Sequence, residues 1–384
     1  MSNDQATYFS CNKPWSSCTI TPSGDYFTCA EASSDINNKL NTHVDETIET
    51  IWNSEKLNEV RKAFQNHTIP LQCKSCFLKE FQNGKSLRII SNLQAPLITN
   101  ITRPVLKKLE IALSNLCNLK CHYCSSFYSN RLYHRDLQNK LPVPDKVILK
   151  RPQPLKMIQA ILDDLESIEF SGGEPLIQAE HDVIIDYLIV EKKTNIKISY
   201  LTNFNIDLRT KKYLILSWKN FNSIVFNISL DDLGPKGEAI RVGLDTELVF
   251  QNLELIKKEL PQAKIKLICT VSILNIFNLT NFLNILKDYN ISLNLLERPS
   301  HLSINNLTNQ LKKICLKEIK KFQLSLTDGN FSIKNQSLFI ELAHVVAKIQ
   351  MPSFAKEQET FKIFLKSESK TISKQSFPEL AEFF

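Results

Sequence analysis

The sequence predicts an α/β protein made of six successive β/α units, and three observations predict it. From residue 105 onward, short β-rich apolar runs alternate with helical patterns. After a longer first interval, the starts of those runs recur every 26 to 41 residues. That is close to one strand plus its crossover helix, since a parallel connection takes a dozen or more residues. The segments between the runs carry apolar residues at helical spacing. A parallel sheet with helices outside it follows, either curled as a partial barrel or open as a doubly wound sheet.

Taken in order, residues 1–85 stand apart from this pattern. TITPSGDYFTC reads as a short hairpin with Gly24 at its turn and Ser17–Thr21 as its first strand. Thr47–Phe64 reads as helical, and CKSC, Cys73 to Cys76, as a knuckle. So little apolar material needs a metal staple to fold alone. The six strands are then Leu109–Ser114, Ser167–Ser171, Ile196–Leu201, Ile224–Leu230, Ile265–Val271 and Ile291–Leu296. Asp182–Lys192 is an amphipathic helix with Val183, Ile184, Tyr187 and Leu188 on one face. The first interval is lengthened by an insertion at Ser125–Pro154, whose Pro142, Pro144, Pro152 and Pro154 read as a loop. Following the first strand, it belongs to the functional face of a β/α fold, as a substrate lid or as ordinary surface. Residues 300–384 read as helices, with Leu307, Leu311, Ile314, Cys315, Ile319 and Phe322 repeating on one face. The expected domains are therefore 1–85, 100–299 and a helical extension, 300–384.

Composition excludes several classes of function. At 384 residues, with 43% hydrophobic and 23% charged, the chain has the make-up of a globular protein of two or three domains. No apolar run approaches the ~18 residues of a membrane span, and MSNDQATYFS is too polar for a signal peptide. The expectation is a cytoplasmic chain without a membrane partner. The net charge of +7 is spread as scattered lysines with no basic–aromatic alternation. That favours a solvated face over a nucleic-acid stripe.

Ten cysteines are the compositional anomaly. In a reducing compartment, clustered cysteines point to metal or redox chemistry rather than disulfides. Five precede residue 80, three lie in CNLKCHYC, and only Cys269 and Cys315 are isolated, where strand and helix patterns make them core. Cys117, Cys121 and Cys124 follow the first strand, at the end of a β/α sheet where ligands bind. Three thiolates can hold an iron–sulfur cluster and leave one iron open. A zinc knuckle completed by His122 or a distant residue fits the same spacing. The second motif, SGGEPL from Ser171 to Leu176, follows the second strand and uses two of only eight glycines. Adjacent glycines let a ligand approach the backbone, and Glu174 can accept from an ammonium group, which suits an amino-acid-like cofactor. The alternative is a plain turn.

CxxxCxxC after strand one and GGEP after strand two resemble the radical S-adenosylmethionine (SAM) superfamily. The likeness runs through about residues 107–298. It continues in LTN (Leu201–Asn203) after strand three and in SLDD (Ser229–Asp232) after strand four, with Ile240-Arg241 downstream. The resemblance implies a partial (β/α)6 barrel of the TIM type. It implies a [4Fe–4S] cluster on Cys117, Cys121 and Cys124, whose open iron chelates the amino and carboxylate groups of SAM. Gly172, Gly173 and Glu174 would lie beside the amino group and Tyr123 near the adenine. Ser229 and Arg241 would serve the ribose or carboxylate, and Thr202 and Asn203 contacts nearby. Many relatives have glycine where Asp232 and Phe204 stand. The implied chemistry is one-electron reduction of the cluster, cleavage of SAM to methionine and a deoxyadenosyl radical, and hydrogen abstraction from an unactivated C–H bond. The cofactor carries that chemistry while the protein positions substrate and excludes water. An electron donor such as a flavodoxin or ferredoxin is the implied partner.

The earlier cysteines are similar to the auxiliary-cluster modules called SPASM and twitch, through CNKPW, ITPSGDYFTC, IWNSEKLNEVRKAF and CKSC. Those modules usually follow the barrel. An amino-terminal one matches a subgroup of radical enzymes, as does the terminal PEL, Pro378–Leu380. By this resemblance Cys11, Cys29, Cys73 and Cys76 hold one auxiliary iron–sulfur cluster, with structural zinc as the alternative. Cys18, inside the first strand, is read as packed. The seven histidines are scattered singly and support no hydrolase triad. Asp231 is either an acid or base facing the substrate or a hydrogen-bonding group in its own loop. The resemblance favours a peptide or protein substrate. Its rivals are radical dehydrogenation or epimerisation of a sugar or other small metabolite, and a non-catalytic zinc or iron–sulfur protein.

Overall fold

The computed structural model describes residues 10–41, 43, 46–83, 86–94, 104–144, 154–327 and 333–384. Its strands are β1 (Ser17–Ile20), β2 (Tyr26–Phe27), β3 (Lys108–Ala112), β4 (Lys120–Cys121), β5 (Ser167–Ser171), β6 (Lys197–Thr202), β7 (Ile224–Ser229), β8 (Arg241–Val242), β9 (Lys264–Val271) and β10 (Asn290–Leu295). The six expected strands are β3, β5, β6, β7, β9 and β10, each within two residues of its expected start. The result is the mixed α/β class, with parallel strands, a cysteine-rich amino-terminal region and carboxy-terminal helices. The chain forms two compact units, crossing between them after Cys117, Ser125, Leu201, Lys211 and Ile224. They do not follow the segments 1–85, 100–299 and 300–384.

The first unit holds residues up to Cys117 together with Ser126–Leu201 and Lys212–Ile224. Its strands run in the order β6, β5, β3, β1, β2, parallel except for the β1–β2 hairpin, whose turn contains Gly24 at φ 80°. The cysteine-rich region is therefore built into the sheet: β1 pairs with β3, Cys18 opposite Leu109. Alternation gives this sheet two unlike faces. Ile168, Phe170 and Tyr200 are buried on one face, against His181 of helix Ala179–Val190 and Trp218 of helix Lys212–Trp218. There Tyr200 Oη accepts from Trp218 Nε1 at 2.8 Å and meets His181 Nε2 at 2.9 Å. The opposite face carries Thr19, Glu110, Glu169 and Ser199 in one lateral row.

Three sequence expectations need correction in this unit. The helix read over Thr47–Phe64 is two helices, Ile48–Trp52 and Glu55–Gln65. Ser54 adopts extended backbone between them and its hydroxyl accepts from Leu57 N, starting a new helix. The face read as Val183, Ile184, Tyr187 and Leu188 is in fact His181, Ile184, Ile185 and Leu188, with Val183 51% exposed. The insertion read as a loop contains a helix, Asn130–Gln138, capped by Ser129, whose hydroxyl accepts from Leu132 N. Pro152 and residues 145–153 lie outside the described residues.

The second unit holds Asn118–Ser125, Thr202–Lys211 and Val225–Phe384. Its parallel strands run β7, β9, β10. Helix Ile333–Gln350 supplies Glu341, whose carboxylate accepts from Leu293 N at 2.7 Å and Ser292 Oγ at 2.9 Å. The first of these bonds occupies a backbone N–H of β10 on the side away from β9. Helix Asn309–Thr327 buries Leu311, Cys315 and Ile319, whereas Ile314 is 48% exposed, contrary to its expected place on the core face. Leu380 of PEL is buried, and Glu379 pairs with Lys236 at 2.5 Å. Among the described residues no helix is long and apolar enough to cross a membrane.

Candidate metal centres and cofactor site

In the first unit Cys11, Cys29, Cys73 and Cys76 line one cavity, together with Lys13, Phe64, Leu87 and Arg88. Four separate elements deliver them: the entry to β1, the residues after β2, the turn Leu71–Cys73, and the helix Lys74–Asn83 that follows. Cys11, Trp15, Val60 and Phe64 form the apolar support, with Cys73 and Phe77 against it. Arg61 clamps the assembly, donating from Nε to Pro14 O and from Nη1 to Trp52 O, both at 2.9 Å. Burial pushes the Cys11 thiol up to about 11 and that of Cys29 up to about 12, and it raises Cys73 and Cys76 as well. Thiols that burial keeps protonated ionise only against a local cation, which iron or zinc supplies. The donor set therefore fits a metal group. Among the described residues no three Cys, His, Asp or Glu side chains converge on a single metal ion. Cys18 is 2% exposed in β1 and is not part of that lining.

The residues leading into Cys117 belong to the same unit, and SGGEP packs directly on them. Gly173 N donates to Ser114 O at 2.9 Å and Glu174 N to Leu116 O at 2.8 Å. A Cβ on Gly173 would stand 2.1 Å from Leu116 O, and one on Gly172, at φ 104°, would stand 2.8 Å from Ala112 Cβ. Only glycine permits this approach. Glu174 departs from the role expected of it: its side chain is fully buried, and Oε1 accepts from Leu176 N at 3.1 Å. It caps the turn Pro175–Ile177 rather than presenting a carboxylate outward.

The sequence reading missed two asparagines that position this loop. Asn130 N donates to Asn115 O at 2.8 Å, and Asn130 Oδ1 accepts from Cys117 N at 2.9 Å. The insertion thus holds the backbone of Cys117. Asn115 is buried, and among the described residues its Oδ1 has no hydrogen-bond partner. Asn115 stands two residues before Cys117 in SNLCN, whereas Asn130 lies 13 residues beyond it, with no local signal that ties it to the loop.

Cys121 and Cys124 belong to the second unit. β4 pairs antiparallel with β8, setting Cys121 opposite Arg241. Arg241 Nη1 donates to Cys121 Sγ at 3.7 Å, and its Nε pairs with Asp231 Oδ2 at 2.7 Å. Tyr123 Oη also bonds Asp231, and the Arg241 guanidinium lies 5.4 Å from the Tyr123 ring centre. Burial opposes the charge on Arg241, but Asp231, Tyr123 and Cys121 more than offset it and hold the guanidinium protonated. Arg241, expected at a ribose or carboxylate, is engaged with Cys121 and Asp231. Asp231 also accepts from Thr270 N at 2.7 Å, so its carboxylate joins the loop after β7 to β9, to β8 and to Tyr123. Thr202 Oγ1 accepts from Phe204 N at 2.9 Å, and Asn203 Nδ2 donates to Asn118 Oδ1 at 2.9 Å. Asn118 in turn donates to Asn205 O at 2.6 Å, fastening the LTN loop to the cluster loop. Ser229 ends β7, partly buried. His122 packs edge-on to Phe364 and meets Thr371 Oγ1 at 3.3 Å.

These arrangements define an iron–sulfur protein with a SAM-type glycine loop. Residues 111–282 match the radical SAM superfamily and residues 11–77 match SPASM, an iron–sulfur cluster-binding domain. The chain carries a radical SAM domain, with a SPASM domain ahead of it in sequence. Its cofactors are those of the two domains: SAM with a [4Fe–4S] cluster, and an auxiliary iron–sulfur cluster. The radical SAM cyclopropyl synthase TigE of Paramaledivibacter caminithermalis is 26% identical over 196 residues, 49% of this chain and 40% of that protein. A probable GTP 3′,8-cyclase of Methanococcus aeolicus is 31% identical over 149 residues, 39% of this chain and 45% of that protein. The chain thus spans less than half the length of these curated relatives. Among solved structures, anSMEcpe with bound AdoMet is 23% identical, with a TM-score of 0.42, over 59% of this chain and 62% of that one. That superposition is too loose to carry a function.

Proposed function

We propose that this chain is a cytoplasmic radical SAM enzyme acting on a peptide or protein. Its reducing equivalent would come from a flavodoxin or ferredoxin. Cys117, Cys121 and Cys124 would hold the SAM-binding cluster, and Cys11, Cys29, Cys73 and Cys76 the auxiliary one. When bound, the first cluster supplies the electron that cleaves SAM to methionine and a hydrogen-abstracting deoxyadenosyl radical. The observation that carries this reading is the seating of Gly172 and Gly173 against Ser114–Leu116. Two sequence motifs 50 residues apart are thereby joined at backbone contact just before Cys117. Around them the protein's own groups orient and hold: Asn130 fixes the Cys117 amide, Arg241 lies against Cys121, and Asn118 ties in the loop after β6.

The SPASM match supports a peptidyl substrate, because such modules accompany peptide-modifying radical enzymes. The two curated relatives differ in what their names say they make, so similarity carries the shared chemistry and not the substrate. Anaerobic reconstitution should load about four irons per site, about eight per chain. Reduction with SAM present should then release deoxyadenosine. Zinc in place of iron, or no cleavage by a reducible cluster, would overturn the enzyme reading. Comparing peptides and metabolites of cells with and without the gene tests the substrate class.

A further inference from the structure

The polar face of the first unit's sheet borders a cavity of about 490 Å³. Its walls come from β3, β5, β6 and the helix Leu87–Gln94, with Lys13 reaching in from the cysteine-rich region. Strand register sets Thr19, Glu110, Glu169 and Ser199 side by side in a single row. Adjacent strands lie about 4.8 Å apart, so the two carboxylates at the centre are close neighbours. One of them is neutralised: Glu110 pairs with Lys13 Nζ at 2.5 Å and accepts from Thr19 Oγ1 at 2.5 Å. The other has only a hydroxyl, Ser199 Oγ, at 3.2 Å. Among the described residues Glu169 has no ion-pair partner. Lys108, Lys197 and Glu166 also line the cavity, toward the strand starts: the two lysines lie in the next row with Ser17 and Ser167, and Glu166 is paired with Lys107 at 2.6 Å.

We propose that this cavity binds a primary ammonium group of the substrate, with Glu169 as its anchor. Of the two carboxylates in the row, Glu110 has the Lys13 ammonium against it and Glu169 only the Ser199 hydroxyl, so a ligand cation would complete the pairing at Glu169. Burial first, and then the neighbouring Glu110, hold the Glu169 carboxyl above its usual range, against the smaller opposing effects of Lys13, Ser199 and Lys197. An ammonium can donate three hydrogen bonds, and Glu169 with Ser199 offers acceptors on one wall. Lys13 and Leu87 line both this cavity and that of the four amino-terminal cysteines, so the two share a wall. Calling the ligand a substrate rests on the radical SAM reading; the binding itself does not.

The test is anaerobic titration calorimetry on the iron-reconstituted full chain, with n-butylammonium and acetate as separate probes. Wild type should bind n-butylammonium at one site and not acetate. Glu169→Gln should weaken it by about tenfold or more, the cost of one charge-assisted contact. Ile90→Lys, at the partly exposed rim, should abolish binding by supplying a tethered ammonium while leaving Glu169 in place. Overturning results are no ammonium binding by wild type, equal binding by Glu169→Gln, or acetate bound through Lys108 and Lys197. Deoxyadenosine release, followed on the same wild-type sample, separates the two readings. Cleavage of SAM without ammonium binding sinks this inference alone, and ammonium binding without cleavage sinks the enzyme reading alone.

Discussion

Phe204 stands at φ 58°, in the left-handed region that side chains with a Cβ avoid, in the loop after β6 where many relatives carry glycine. Its ring is fully buried, 5.4 Å from that of Phe226. The backbone conformation costs about 1–2 kcal/mol, whereas losing a buried aromatic ring costs about 3–5 kcal/mol. Phenylalanine is therefore the more stable choice here. Both Phe204→Gly and Phe204→Ala should lower the denaturation midpoint, but alanine should lower it further, because it loses the ring and keeps the strain. An alanine variant more stable than the glycine variant would show that this φ is not a constraint. Asp232, the other departure, has no such backbone need. It is fully buried and accepts from Leu233 N at 2.8 Å and Asn278 Nδ2 at 2.6 Å. At Arg241, replacement by leucine strands the buried Asp231 and should cost about 3–5 kcal/mol. Arg241→Lys keeps the charge but loses the fork. Because hydrogen bonds to ligand sulfurs raise a cluster's potential, the SAM-site cluster should become harder to reduce, read by potentiometric EPR titration.

The elements that position the site differ in how legible they were. The six parallel strands could be read because each has its own apolar alternation and its own spacing to the next, both local properties. The glycine pair and the CxxxCxxC loop could be read because their residue types are scarce in this chain. The helix Asn130–Gln138 could not, because prolines on its far side dominate the composition and its cap is one serine. Its role is testable. Asn130→Ala removes the acceptor for Cys117 N and should cost about 1–2 kcal/mol, with faster loss of iron to a chelator. Asn130→Asp keeps an acceptor and should restore retention; equal iron loss in all three proteins would make the contact incidental. The buried stripe of helix Ala179–Val190 differs from the expected one at two of four positions, His181 and Ile185 standing in place of Val183 and Tyr187. His181, polar by type, is core here because Tyr200 and Asp182 satisfy both ring nitrogens.

On the scale of the whole molecule, the cysteine-rich region is not an appendage. β1 lies against β3 through four residue pairs, and Lys13 neutralises the buried Glu110. That union was invisible in the sequence, since strand pairing across 91 residues leaves no periodic trace in either segment. A chain of residues 100–384 should therefore not behave as an independent barrel domain. It would expose the β3 edge and leave Glu110 without its cation, two recognised routes to aggregation and instability. The expected outcome is insoluble or oligomeric material by size-exclusion chromatography. A monomeric fragment with a cooperative melt would show that the parallel join contributes little.

The same join sets a timetable for biosynthesis. The strand that completes β1 is made 91 residues after it, which at ribosomal speeds of about 5–20 residues per second is a delay of about 5–20 s. Cys11, Cys18 and Cys29 are translated long before their sheet can close, and Cys73 and Cys76 also precede it. For that interval all five thiols depend on the reducing power around the nascent chain rather than on burial. Oxygen during expression should thus harm the amino-terminal site at the ribosome, and later anaerobic handling of the finished protein would not reverse it.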